Sequence, residues 1–486
     1  MLIGVDAGTS VVKAVAFAEA DGAVLRVAAR PTRTASPAPG RAEQDPEEIV
    51  AAVGETVREV AAGEVPSLVG LTAQGDGLWL VDDFGRAVRP AILWSDARAA
   101  AEVGRWDVAG TSEGLFRRTG SVLFAGAAAP ILAHLRRHEP GALRAAATAA
   151  SCTGMLVQRL TGARATDASD AALPFLDPRT RAYAPDLLER CEAAGLAPLL
   201  APVDPDPGPL RPLTAAGAAL TGLPEGTPLH AGPFDFPATL LGAGVARPGD
   251  GLVVVGTTLG CGVLVDAVAT DGPAAGMLVC LPQPGRWVRI MPAMVGTPSL
   301  EWALATLGVG IDALDATLAA SPPGANGVLC LPLLSPAGER APFVDPAARG
   351  LLLGVSLDTT RADLLRAVCE GIAYAARHCL EAAGLAPAGE VRLSGGGMRS
   401  PLWRQILADV LQRPLLLARQ PEVGARGAAM AALDAAGVPF ARATWTRPEQ
   451  LVEPNPALAA LHDAGYALYL DRLEAARGHW AGPTAG

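Results

Sequence analysis

Lysine is almost missing from this 486-residue chain: Lys13 stands alone, and the other 38 of its 39 Lys and Arg residues are arginine. Aromatic residues make up only 4% and charged residues 18%, so the core must be built from small and branched aliphatic side chains, which the 50% apolar content supplies. An excess of positive charge is missing too. The net charge of −10 argues against nucleic acid or an anionic membrane as a general partner, and a site for an anion must be assembled locally. Long apolar runs are missing as well; residues 251–265, bounded by Asp250 and Asp266, are too few and too Gly-rich to span a bilayer. The opening does not read as a secretory leader, because Asp6 interrupts it. Seven cysteines are scattered, odd in number and without metal-ligand spacing, and six histidines form no recognisable metal pattern. Reduced, buried cysteines and a cytoplasmic location are the expectation.

A chain of this length exceeds what one core supports and predicts two large domains. Its most informative stretch is the first seventeen residues. Leu2, Ile3 and Val5 read as a buried strand, and Val11, Val12, Ala14, Val15 and Phe17 as a second. Asp6 to Ser10 turns between them, with Gly8 free to take positive φ. Such a turn converges backbone N–H groups on an anion, and Thr9, Ser10 and the lone Lys13 add donors and charge. Asp6 beside it makes sense if a divalent cation lies between acid and phosphate. An ordinary surface hairpin reads the same way.

Further along, Asp45 caps a helix with Pro46 at its first position. An apolar strand at residues 68–73 ends in Gln74-Gly75-Asp76-Gly77, and another at 91–93 delivers Trp94, Asp96 and Arg98. Polar residues at the ends of buried strands are where α/β proteins hold ligands, although Asp96 and Arg98 could equally pair with each other. Asp235 stands in an apolar surround followed by Pro237, as a helix N-cap or a functional carboxylate. Residues 251–266 echo the N-terminus: strand, Gly256-Thr257-Thr258 turn, return strand. Two domains of like design follow, split near 245–250: residues 1–246 and 247–440, with a helical tail at 441–486. Thr360 caps a long helix, and Ser394-Gly395-Gly396-Gly397 leads into a helix opened by Ser400-Pro401.

This ordered set resembles the FGGY family of carbohydrate kinases. It comprises Asp6-Ala7-Gly8-Thr9-Ser10 with Lys13, Glu43-Gln44-Asp45-Pro46, Gly256-Thr257-Thr258, Gly338-Glu339-Arg340-Ala341-Pro342, Glu370-Gly371, and Gly395-Gly396-Gly397 through Ser400-Pro401-Leu402-Trp403. The resemblance implies an α/β, two-domain actin-like (ribonuclease H-like) ATPase fold with an interdomain cleft. It implies Asp235 as catalytic base, and Asp6 with Asp235 holding Mg²⁺. Gly8, Thr9, Ser10, Lys13, Gly256 and Thr257 would hold the ATP phosphates, and Gly396, Gly397 and Ser400 would border the adenosine. Gln74, Asp76, Trp94, Asp96 and Asp235 would face the sugar.

Members acting on D-xylulose usually carry Met-His after the strand ending at Gln74, and glycerol kinases Arg-Glu; this chain has Gly75-Asp76. With Gly232-Pro233-Phe234-Asp235, that looks more like members acting on erythritol or L-xylulose. The expected substrate is a small neutral C4–C5 polyol or ketose. D-xylulose or another family substrate, or a non-catalytic sugar- and ATP-binding regulator, are the alternatives. A homodimer is the default assembly.

Overall fold

Three apolar segments at the N-terminus, β1 (Leu2–Ala7), β2 (Val11–Phe17) and β3 (Val24–Pro31), form an antiparallel meander, with Asp6 opposite Lys13 across the first pair. The computed structural model describes residues 1–172, 175–418 and 422–480. Asp45 caps α1 (Pro46–Ala61) by accepting a hydrogen bond from Glu47 N, and Ile49, Val53 and Val57 bury its inner face. β4 (Leu68–Ala73) then enters the sheet parallel to β1; every one of its residues is buried, as both faces of the sheet are covered. A helical layer follows, including α2 (Ala100–Val108), α3 (Ala128–His138) and α4 (Cys152–Thr161). The chain returns to the sheet with β5 (Leu210–Pro212) and β6 (Pro228–Ala231), giving the order β5-β6-β4-β1-β2-β3. α5 (Asp235–Ala243) completes this stretch.

The second sheet repeats the first. β7 (Gly251–Val255) pairs antiparallel with β8 (Leu259–Val265) and parallel with a later strand, as β1 does with β2 and β4. α6 (Thr297–Leu307) and the long α7 (Arg361–Ala383) follow, the latter opened by a reciprocal cap between Thr360 and Asp363. The parallel partner is β9 (Val391–Ser394); Ser400 then caps α8 (Pro401–Leu411), and β10 (Leu415–Ala418) lies parallel to β9.

α9 (Val423–Ala435) belongs with the first sheet, and β11 (Pro448–Val452) pairs with β10 before α10 (Ala459–Trp480). Two compact units result. One holds Met1–Gly244, Asp266–Val288 and Glu422–Arg447; the other holds Val245–Val265, Arg289–Pro421 and Pro448–Gly486. The sequence expectation of a single break and a separate tail differs from this: 266–288, 422–440 and 441–447 fall with the first unit, and the tail from 448 falls with the second. The cause is packing: Ala425, Ala429 and Leu433 of α9 share a core with Leu2, Phe17 and Leu68. The face of the first sheet opposite α1 is thus closed by a helix remote in sequence. No single helix among the described residues is long and apolar enough to cross a membrane.

Candidate active site

Because β1, β4 and β6 run parallel, their C-terminal ends share one edge of the sheet. Asp6 lies on the last turn of β1, Gln74 and Asp76 follow β4, and Asp235 follows β6 as the first residue of α5. Phe234, rather than Asp235, occupies the N-cap position, so the carboxylate is not consumed as a cap. The loop carrying it is pinned: Thr72 Oγ1 donates to Pro233 O at 2.6 Å, and Phe234 N donates to Ser169 Oγ at 3.1 Å.

The electrostatics of this edge are unusual. Burial pushes the Asp235 carboxyl up to about 7; the charge on Asp6 adds most to that effect, Asp76 adds more, and the N–H groups of Phe236 and Gly75 oppose it. Burial likewise pushes Asp6 up to about 6, with Lys13 opposing and Glu422 reinforcing the shift. Oδ1 of Asp6 is buried without a hydrogen-bond partner among the described residues. Acids gathered this closely fit a divalent cation.

The opening turn differs from expectation in one detail. Gly8 is not among the positive-φ glycines, and the reversal is made by residues 8–10 in ordinary backbone space. Lys13 pairs with Glu422 at 2.8 Å, and its side chain is 36% exposed. Ser10 is exposed beside it. Thr9 is locked into a network: its hydroxyl donates to Gln74 Oε1 at 2.9 Å and accepts from Trp94 Nε1 at 3.1 Å, while its carbonyl accepts from Gln44 at 2.6 Å. Gln74 in turn donates to Gln44 Oε1 at 2.8 Å.

Asp96 resolves its two readings in favour of the internal pair. Oδ1 accepts from Arg98 N and Nε at 2.8 and 2.9 Å, and Oδ2 from Ala42 N and Arg98 Nη2 at 2.7 and 2.8 Å. With both oxygens filled and the residue 2% exposed, it braces the site wall. Asp76 has left-handed backbone at φ +57° and lines a cavity of about 50 Å³ with Ser151, Asp170 and Tyr183. Sequence reasoning missed Asp170. Its Oδ2 accepts from Ser151 Oγ at 2.8 Å, and burial, reinforced by Asp167, holds its carboxyl well above the usual range. Its sequence signal was a Thr-Asp-Ala-Ser-Asp run opening a short helix, which reads equally well as capping.

The second unit carries a larger cavity, about 660 Å³, bordered by Gly256, Thr257, Gly396, Gly397 and Ser400 with Leu300, Leu304 and Ile311. That size and apolar wall suit a nucleoside. Gly395, at φ +106°, turns the chain into it, and a Cβ there would meet Val255 O at 2.4 Å. Ser400 Oγ caps α8 through Trp403 N at 3.0 Å and donates to Asp315 Oδ1 at 2.5 Å, a partner that sequence reading did not identify.

Two ribonuclease H-like sheets, one with clustered carboxylates at its strand ends and one beside a glycine-bordered pocket, define the class: an actin-like ATPase-fold phosphotransferase. Family comparison then gives the particular branch. Residues 1–242 match the N-terminal domain of the FGGY family of carbohydrate kinases and residues 253–436 its C-terminal domain, so the chain belongs to that family and is a carbohydrate kinase. It is 34% identical over 490 residues to the erythritol kinase of Brucella abortus, covering 95% of this chain and 93% of that one. It is 32% identical to the xylulose kinase of Escherichia coli, covering 98% of each. Its structure superposes on the xylulose kinase of Rhodospirillum rubrum with a TM-score of 0.89 at 32% identity, over 98% of this chain and 99% of that one.

Proposed function

We propose that the chain transfers the γ-phosphoryl group of ATP to a hydroxyl of a small neutral polyol or ketose, with Asp235 as general base. The observation that carries this reading is Asp76. Its charge acts on Asp235, and its side chain lines the small polar cavity with Ser151 and Asp170. A substrate hydroxyl held by Asp76 is the one offered to the base. Its oxygen attacks the γ-phosphorus, its proton passes to Asp235, and the bond to the ADP oxygen breaks.

Asp6 and Asp235 would hold Mg²⁺, which supplies charge neutralisation for the phosphates. The unpartnered Oδ1 of Asp6 supports that assignment. Gly8, Thr9, Ser10, Lys13, Gly256 and Thr257 are assigned to the phosphates, and Gly396, Gly397 and Ser400 to the adenosine side. The hydrogen-bonded Thr9–Gln74–Trp94 network positions the wall. A carboxylate on the substrate would meet the charge on Asp76, so sugar acids are disfavoured. The similarity to the erythritol kinase supports a C4 polyol, and that to the xylulose kinases keeps D-xylulose as the second reading.

ADP release with Mg-ATP, measured against tetritols, pentitols, pentuloses, glycerol and hexonates, tests this. Activity confined to a C4 or C5 neutral substrate, lost in Asp76→Asn, is the expected result. Equal turnover of a hexonate would sink the pocket assignment. ATP binding without any turnover would favour the regulator.

A further inference from the structure

α2 and α3 pack together in the helical layer of the first unit. His134 and His138 stand one turn apart on α3, with ring centroids 4.4 Å apart. Glu102 of α2, only 3% exposed, faces them. Its Oε2 lies 3.6 Å from His134 Nδ1, beyond hydrogen-bond range, and has no hydrogen-bond partner among the described residues. One ligand atom from each of the three residues lies within 4.8 Å of the other two.

The two carboxylate oxygens face different neighbours. Oε1 is turned toward Arg137 Nη1 at 3.8 Å, while Oε2 is left toward the imidazoles. Nearby positive charge is already engaged: Arg137 Nη2 donates to Glu192 Oε2 at 2.8 Å, and Arg98 is bound by Asp96 and Glu43. An imidazole offers a metal its ring-nitrogen lone pair.

We propose that Glu102, His134 and His138 form a site for a zinc-class divalent ion, distinct from the acids at the strand ends. Two imidazoles at i and i+4 with one carboxylate from a second helix make a three-ligand nitrogen–oxygen set, and water completes the tetrahedron. Mg²⁺ does not fit this set, because it demands octahedral oxygen coordination. His138 is exposed, so the ion enters from solvent, and once bound it clasps α2 to α3.

The test is Zn²⁺ alone, titrated into the chelator-stripped full chain by competition with a chromophoric chelator, with millimolar Mg²⁺ present to fill oxygen-only sites. One equivalent should bind, and Zn²⁺ should raise the melting temperature. His138→Ala, at an exposed position, should keep the metal-free melting temperature yet weaken Zn²⁺ binding more than about tenfold. Glu102→Gln should weaken it similarly. Co²⁺ in place of Zn²⁺ should give a low-coordinate visible spectrum that His138→Ala abolishes. Equal Zn²⁺ affinity in wild type and His138→Ala, or no stoichiometric binding by wild type, would overturn the site.

Discussion

A Cβ on Gly424 of α9 would lie 2.3 Å from Oδ2 of Asp6, so the helix leaves room for that carboxylate and for no side chain of its own. Gly to Ala inside a helix ordinarily stabilises by about 0.5–1 kcal/mol. Here the methyl displaces the short Asp6 side chain. Gly424→Ala should lower thermal stability, lower kcat at least about tenfold and raise the Mg²⁺ requirement, because the methyl group must displace the buried Asp6 carboxylate. Melting curves and Mg²⁺ titrations of activity check both.

Asp235→Ala should leave nucleotide binding nearly intact and cut turnover by about 10²–10⁴-fold, the usual contribution of a general base. Equilibrium binding of an ATP analogue alongside steady-state rates separates the two effects. Near-wild-type turnover would remove Asp235 from the base role.

Stability should fall as pH rises, in the absence of divalent cation. Asp6 and Asp235 are held up at about 6 and about 7 from the ordinary 3.8, so the folded state binds their protons more tightly than the unfolded chain does. The stabilisation they contribute is complete below pH 3.8 and lost as pH rises through 6 and 7, at most on the order of 3 kcal/mol for Asp6 and 4 kcal/mol for Asp235. Melting temperatures from pH 5 to 8 should show the decline, Mg²⁺ should reduce it, and Asp6→Asn or Asp235→Asn should flatten it. With Asp235 as base, kcat/KM should have an acidic limb no higher than about pH 7.

Arg98, its side chain 1% exposed, is the partner of both Asp96 and Glu43. Arg98→Met removes the guanidinium from buried Asp96, which keeps only the backbone donors Ala42 N and residue 98 N, while Glu43 keeps Arg89 at 2.6 Å; the loss should be about 3 kcal/mol, read by urea denaturation.

Asp315→Ala removes the acceptor for Ser400 Oγ and for Leu402 N. A loss of about 1 kcal/mol at the pocket proposed for the nucleotide should raise the KM for ATP about fivefold and leave the KM for the second substrate unchanged.

Much of this molecule is written in local chemistry. Caps at Asp45, Thr360 and Ser400 depend on a few adjacent residues, and each forms as its sequence predicts. The echo between the turn after β1 and that after β7 likewise appears as one repeated strand pattern. Such features are decided within a handful of residues, where backbone geometry and side-chain hydrogen bonding leave few options.

Long-range pairing settled the rest. Whether Asp96 would meet a ligand or Arg98 depended on Ala42 N, more than fifty residues away, reaching its second oxygen. The parallel register of β1, β4 and β6 brought Asp6, Asp76 and Asp235 to one edge, and burial there made the carboxyls of Asp6 and Asp235 hard to ionise. α9 joined the first sheet because its small residues fit there, a fit invisible in linear order. Glu102 and the His134–His138 pair belong to separate helices and formed no recognisable pattern in the sequence, since a metal-like cluster is a property of distances that only packing creates.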